Sequence, residues 1–283
     1  MKKFIFTIIF GSLLSYVSLS YVSIGYSASI DEINARGALR VCSFSDRLPF
    51  SSRSGEARGI QIELAEEIAK ELNVGLEITW LRYRFHARKA GCDMMMEAVA
   101  KDNDNADKRD IEGAKPLTRA SDSKKQKFPP TASIPIVRIE TYLVGPKELV
   151  LGKSNVKSIK NLNIGVMRGT WSHMLMQKSK IKYRTKFITE AELIKGVADR
   201  EVDAAFISSP QYWWFLKNNP GIKLEAVKNF DFTIDVALNV GVLMRGADEK
   251  TVTKINNILT KLLNNNTIQD IYASYGIEYV APK

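Results

Sequence analysis

A carboxylate follows an apolar run in the segment CDMMMEAVAKD, residues 92–102. Three consecutive methionines indicate a strand that is covered on both faces, because such strands are apolar throughout instead of alternating. Ligands of open α/β sheets bind beyond the carboxyl ends of the strands, which is where Glu97 is expected to lie. We therefore predict that Glu97 faces a crevice and contributes to the selection of a solute. The alternative is a strand end that faces only water.

A second candidate binding element is the segment RGTWS, residues 168–172. Gly169 and Thr170 precede a predicted helix, and a helix N-terminus offers backbone N–H donors and a positive dipole to an anion. Arg168 would add a positive charge beside them, or it is an ordinary basic residue of the surface.

The chain contains two cysteines, Cys42 and Cys92. They have neither the Cys-x-x-Cys spacing of a redox motif nor nearby histidines that would indicate a zinc site. In an oxidising compartment they either form a disulfide or remain two buried thiols.

The segments around these residues predict alternating strands and helices. Residues 38–44 and 75–80 are short apolar runs typical of strands, and residues 59–73 have the spacing of an amphipathic helix. Together with the methionine strand, this order is that of a parallel, doubly wound sheet. The first and third strands of such a sheet are neighbours, so we predict that Cys42 and Cys92 form a disulfide.

The second half of the chain has the same order of strands and helices without repeating the sequence. The predicted fold class is therefore α/β, with two doubly wound lobes joined by a two-stranded hinge. We place the first lobe at residues 29–138, the second at 139–236 and the return to the first lobe at 237–283. The chain is expected to cross between the lobes near 138–146 and 232–240.

Two further segments are expected to lie outside the packed lobes. Residues 1–28 carry Lys2 and Lys3 before an apolar run, which predicts a secretory signal peptide and a soluble periplasmic protein. No cysteine stands at the cleavage site, which argues against a lipoprotein. Residues 101–130 are rich in charge and lack apolar spacing, so we predict a mobile insert.

Composition limits the class of function. The chain has 283 residues, of which 45% are hydrophobic, and a formal net charge of +10. This charge favours an acidic partner or an anionic solute, or it reflects a lysine-rich solvated surface. Basic and aromatic residues do not alternate in any block typical of nucleic-acid binding, so no nucleic acid is expected as a partner.

Five segments together resemble the type II periplasmic solute-binding proteins, the extracellular family 3 group. They are LRVCSFSDRLPF, GIQIELAEEIAKELN, VMRGTWS, REVDAAFISSP and IQDIYASYGIE. The resemblance implies a bilobed protein that closes on a small molecule by hinge bending. It also implies that Phe50 and Trp80 flank the solute and that Trp171 narrows the cleft.

The chain departs from this family at the residues that hold an amino acid. In the family an arginine of a Thr-x-x-Arg motif binds the carboxylate, whereas here Lys124 stands nearest to the expected position. The family's aspartate for the ammonium group is replaced by Ser208 or Ser209, and Gln61 stands where an acid is usual. We therefore expect Ser208 and Ser209 to make polar contacts, and standard α-amino acids to bind weakly.

The predicted function is that of a periplasmic solute-binding protein that captures a small polar solute between its two lobes. It is expected to be a monomer without cofactor or metal and to serve the membrane subunits of an ABC transporter. One alternative follows from the LRVC and CD segments, which are similar to a subgroup thought to help the maturation of periplasmic quinoprotein (PQQ) alcohol dehydrogenases. A second alternative is a cyclohexadienyl dehydratase-like enzyme of the same fold, in which Glu97 would be the acid. The missing arginine motif disfavours an enzyme.

Overall fold

The computed structural model describes residues 29–82, 86–87, 89–99, 130–233 and 235–283. Its strands are β1 (Ala38–Phe44), β2 (Asp46–Arg47), β3 (Ser51–Ser52), β4 (Gly75–Leu81), β5 (Met94–Val99), β6 (Thr131–Ala132), β7 (Val137–Ile139), β8 (Thr141–Gly145), β9 (Ile164–Gly165), β10 (Tyr183–Arg184), β11 (Ala204–Ser208), β12 (Glu225–Val227) and β13 (Leu238–Met244). Its helices are α1 (Ile30–Arg36), α2 (Ile60–Leu72), α3 (Lys147–Val150), α4 (Trp171–Ser179), α5 (Glu190–Ala198), α6 (Ser209–Asn218), α7 (Glu249–Asn264) and α8 (Thr267–Ser274). The predicted signal peptide and Lys124 lie outside the described residues, as does the predicted insert apart from residue 130.

Each lobe is built on one sheet. The first sheet has the strand order β4-β1-β5-β13-β6, with β7 also paired to β13, and the second has the order β10-β9-β11-β8-β12. β1 is parallel to β4 and β5, and β9 is parallel to β10 and β11. The predicted fold class of two α/β lobes is confirmed. The chain leaves the first sheet after β7 and enters the second at β8, and it returns between β12 and β13.

The methionine strand is buried on both faces, as its sequence predicts. Met94 and Met96 lie in the core of the first lobe with the apolar side of α2. Met95 packs on the opposite face of β5, in a small cluster around the two cysteines. Helix α2 forms because its apolar residues recur at helical spacing, and those that it buries in this core include Ile60, Leu64, Ile68 and Leu72.

Helix α6 connects the cores of the two lobes. Tyr212 is buried in the second lobe, whereas Trp214 packs against the core of the first lobe. The ring centre of Trp214 lies 5.5 Å from that of Tyr275, which follows α8. Of the helices described, none combines the length and the apolar character that a membrane span requires.

The disulfide between Cys42 and Cys92 joins β1 to the turn that precedes β5. The two Cα atoms are 5.6 Å apart, within the usual range for a disulfide. Because β1 and β5 are neighbours in the sheet, the predicted pairing is confirmed.

Replacing both Cys42 and Cys92 by alanine should lower the free energy of unfolding by about 2–4 kcal/mol, because the unfolded chain loses a cross-link that closes a long loop. Chemical denaturation of the exported protein would measure this change. Alkylation followed by mass analysis supplies an independent check. Two thiols that react without reductant would show that the disulfide does not form.

Candidate functional site

Backbone hydrogen bonds attach the loop after β1 to the N-terminus of α2. The N–H groups of Ile60 and Gln61 donate to the carbonyl oxygens of Pro49 and Phe50, at 2.9 and 2.8 Å. The first N–H groups of a helix have no partner within the helix, and α2 has no side-chain cap. The loop carbonyls therefore satisfy the start of α2, and α2 in turn holds the loop at the carboxyl edge of the first sheet.

Gly59 permits this close approach. Its φ angle is +98°, and a Cβ atom there would lie 2.5 Å from the carbonyl oxygen of Phe50 and from the backbone nitrogen of Ser51. Its N–H group donates to the hydroxyl of Tyr275 at 2.6 Å, which ties the loop to the end of the chain as well. A residue with a side chain at this position would displace the loop.

A β-bulge directs the side chain of Glu97. Between Met95 and Ala98, two residues of β5 lie opposite a single residue of β13. If the side chains of β5 alternated strictly between the two faces of the sheet, Glu97 would lie on the same face as Met95, beside the disulfide. Its Oε2 atom instead accepts a hydrogen bond from Nε2 of Gln61 at 3.5 Å, on the face that α2 covers.

Arg47 forms an ion pair with Glu97. Its Nη1 atom lies 2.9 Å from Oε2 of Glu97, and the two side chains are 46% and 18% exposed. The guanidinium carbon lies 5.1 Å from the ring centre of Phe44 and 5.7 Å from that of Phe50, both within cation–π distance. One carboxylate and two aromatic rings therefore surround a cation at this edge of the first lobe.

A second carboxylate, Glu190, comes from the second lobe. It is the first residue of α5, and it lies against the end of β11. The backbone N–H of Ser208 donates to its Oε1 atom at 3.2 Å, and the Ser208 hydroxyl donates to its Oε2 atom at 2.6 Å. Ser208, the predicted replacement for an aspartate, therefore holds a carboxylate that another element supplies.

The environment of Glu190 opposes its ionisation. Burial raises the pKa of this carboxyl above its ordinary value, while the hydrogen bonds from Ser208 and the positive charge of Arg47 act in the opposite direction.

Ser209 lies at the crossing between the lobes. Its N–H donates to the carbonyl oxygen of Glu140 at 2.8 Å, and its hydroxyl accepts from the N–H of Glu140 at 3.2 Å. Ser209 is buried. The structure thus assigns it backbone contacts at the hinge, and its predicted contact with a solute stays a prediction.

The segment RGTWS forms the N-terminus of α4. Thr170 is the N-cap, and its hydroxyl accepts from the N–H of His173 at 3.3 Å. The N–H of Gly169 donates to Nδ1 of the same histidine at 3.2 Å, so this donor already has a partner. Arg168 is exposed. Binding of an anion by these residues stays a prediction.

The predicted aromatic contacts lie in different surroundings. Phe50 is half-buried in the loop beside Arg47, and Trp80 is half-buried at the carboxyl end of β4, opposite Ser43 of β1. Trp171 packs within the second lobe, where its ring centre lies 5.7 Å from that of Phe206. The structure therefore brings Phe50, Glu97 and Gln61 together, and it pairs Ser208 with Glu190.

Two charged residues of the site were not predicted. Arg47 lies in the SDRLPF loop, which we expected to line the crevice, but the sequence does not show which side chain of the loop meets Glu97. Glu190 occupies the first turn of a helix, where acids are common because they stabilise the helix dipole. Its position therefore gave no signal of a binding role.

Comparison with known proteins identifies the fold. No protein-family model matches the sequence. The chain is 25% identical over 260 residues to a "Probable histidine-binding protein" of Neisseria gonorrhoeae, a match that covers 89% of this chain and 87% of that protein.

Solved structures of other solute-binding proteins have the same fold as this chain. An ancestral cationic amino acid solute-binding protein superposes with a TM-score of 0.67 and 22% identity, over 87% of this chain and 99% of that one. An amino acid ABC transporter substrate-binding protein from Streptococcus pneumoniae, bound to L-arginine, has a TM-score of 0.64 and 18% identity, over 90% and 100% of the two chains. The predicted resemblance to type II periplasmic solute-binding proteins is confirmed in the fold.

The substitution Gly59→Ala should destabilise the protein by about 2 kcal/mol or more, because it combines a strained φ angle with a backbone clash. Gly55→Ala is the matched control, since Gly55 has a φ angle of +90° but open space around it. This control should cost about 1–2 kcal/mol, the left-handed strain alone. Urea denaturation of both variants would measure the difference, and equal losses would contradict the role of the close approach.

Proposed function

We propose that this protein, which has the fold of the type II periplasmic solute-binding proteins, captures a small cationic solute between its lobes. One observation carries the proposal. Each lobe contributes one carboxylate near the carboxyl end of a strand: Glu97 of β5 is paired with Arg47, and Glu190 is held by Ser208 at the end of β11. Closure of the lobes on a solute would surround it with groups from both sides.

The charges of the site favour a positive solute. Among the described residues, Arg47 pairs with Glu97, and an ionised Glu190 adds a second negative charge to the site. A half-buried carboxylate ionises readily only when a positive group or a hydrogen-bond donor stabilises it. Ser208 supplies donors, and an ammonium or guanidinium group of the solute would supply the positive charge.

The named relatives support this class of solute. One is described as a histidine-binding protein, one as a cationic amino acid solute-binding protein, and one was solved with L-arginine. Arginine is always cationic in water, and histidine gains a positive charge close to neutral pH.

The sequence predicts that standard α-amino acids bind weakly. With Glu190 in the site, the reason for weak binding is the carboxylate of the amino acid, since the ammonium group has a partner. Glu190 offers a partner to an ammonium group, whereas the Thr-x-x-Arg arginine of the family has no counterpart in the sequence. Leaving a carboxylate unpaired in a closed cleft costs about 1–3 kcal/mol or more. We therefore expect amines and guanidines without a carboxylate to bind at least as tightly as the parent amino acids.

The partners of the proposed function are the membrane subunits of an ABC importer, and its location is the periplasm. We expect the protein to act as a monomer. Accessory action on a periplasmic dehydrogenase and dehydratase activity are less favoured, because the named relatives are binding proteins.

Native mass spectrometry of protein purified without refolding should reveal a small basic solute, because tightly bound ligands remain attached during purification. Calorimetry then compares agmatine, L-arginine and L-glutamate. We expect agmatine to bind at least as tightly as L-arginine, and L-glutamate to bind at least tenfold more weakly. Tenfold tighter binding of L-arginine than of agmatine would reveal a carboxylate partner. Preference for L-glutamate would overturn the proposal of a cationic solute.

Glu97→Gln and Glu190→Gln should each weaken agmatine binding about tenfold or more, since a charge-assisted hydrogen bond contributes roughly 1.5–3 kcal/mol. Binding to wild-type protein should also weaken as the pH falls toward the raised pKa of Glu190, because the protonated carboxyl must ionise before it meets a cation. Glu190→Gln should reduce this pH dependence.

Matched controls are Glu77→Gln in the first lobe and Glu192→Gln on α5, both exposed carboxylates outside the site. Calorimetry should find agmatine affinities within about twofold of wild type for these two variants. Unchanged affinity in both site variants would show that the two carboxylates do not contact the solute.

A further inference from the structure

The first lobe contains a fully formed cation subsite. A carboxylate oxygen of Glu97 lies 2.9 Å from a guanidinium nitrogen, and the rings of Phe44 and Phe50 lie 5.1 and 5.7 Å from the guanidinium carbon. A carboxylate beside aromatic rings is an arrangement that proteins use for ammonium and guanidinium ligands. The bulge in β5 and the loop attached to α2 place these groups, so the subsite is built by the fold.

The occupant of this subsite is part of the protein itself. Arg47 belongs to the short strand β2, at the edge of the loop, and its side chain is 46% exposed. A half-exposed ion pair contributes little to stability, because water screens it and side-chain freedom opposes it. Arg47 can therefore leave Glu97 at little cost to the fold, whereas Glu97 is the less exposed member of the pair, at 18%.

We infer that Arg47 is an internal ligand, which fills the cation subsite of Glu97, Phe44 and Phe50 until a guanidinium or ammonium group of a solute displaces it. The inference rests on the proposed capture of a cationic solute and identifies the residue that sets its affinity. The solute must exchange one ion pair for another in this subsite. Its apparent affinity is therefore lower than the subsite alone would provide.

The exchange also sets specificity. A solute without a positive charge cannot replace the guanidinium beside Glu97, because it would not restore the ion pair that Arg47 makes with this carboxylate. A cationic solute restores the same contacts that Arg47 gives up. Arg47 therefore acts against neutral solutes as well as competing with cationic ones.

The first experiment uses a probe that fits the subsite alone. Arg47→Ala protein is titrated with methylguanidinium chloride at low millimolar concentration, and the melting temperature is followed by calorimetry. We expect a rise of about 3 °C at a concentration ten times the dissociation constant. Wild-type protein and the double variant Arg47→Ala/Glu97→Gln should show no rise, and neither should Arg47→Ala protein with methylurea, a neutral analogue of similar shape.

Arg40→Ala is the matched control. Arg40 forms a pair of similar geometry with Glu77 in the same lobe, with Nε and Oε2 3.0 Å apart and both side chains largely exposed. No aromatic ring is described at this pair, so its loss should not create a methylguanidinium site. Equal responses in wild-type, Arg40→Ala and Arg47→Ala proteins, or no response in Arg47→Ala, would overturn the inference.

The second experiment measures agmatine affinity by calorimetry. Arg47→Ala and Arg47→Gln should bind agmatine about tenfold more tightly than wild-type protein. A tenfold loss in both variants would mean that Arg47 contacts the solute directly, and would overturn the inference. If agmatine binds to none of these proteins, the proposed function fails, and the methylguanidinium titration still decides the role of Arg47.

Discussion

The first half of the candidate site depends on the N–H groups at the start of α2, which have no partner within the helix. These groups require acceptors, and the carbonyl oxygens of Pro49 and Phe50 provide them. Gly59 makes the contact possible, because a side chain there would overlap the loop backbone. The same loop carries Arg47. The need to satisfy the N–H groups at the start of α2 therefore determines where this charged side chain lies at the carboxyl edge of the first sheet.

The second half of the site depends on the meeting of two helix N-termini. Glu190 begins α5 and Ser208 is the N-cap of α6, and the two are joined by a pair of hydrogen bonds. Both helix dipoles favour a negative charge at this place, while burial disfavours it. The ionisation of Glu190 therefore depends on the hydrogen-bond donors and positive charges around it.

Proteins that share this fold can differ in the charged residues that would contact a ligand. The solved structures share this fold at identities of 18 and 22%, which leaves most side chains free to differ. In this chain the carboxylate beside Ser208 comes from the start of a helix, whereas the family pattern places an aspartate after the strand. Function is thus determined by which charged residues reach the cleft, and the fold restricts only where they can stand.

The sequence by itself determined the elements and their order. Apolar spacing predicted α2, the doubly buried run predicted β5, and the adjacency of parallel strands predicted the bond between Cys42 and Cys92, since each depends on local pattern and simple topology. Helix α1 was missed, although Ser29 followed three residues later by Glu32 is a recognisable helix start.

Only the tertiary structure decided which charges meet. Glu97 was predicted to face the crevice, but its contact with Gln61 depends on a bulge that no residue pattern marks. Arg47 stands fifty positions before Glu97 in the sequence, and Glu190 stands eighteen positions before Ser208. Which residues pair is determined by burial, charge and distance in the folded chain. These quantities are defined only after each sheet has formed.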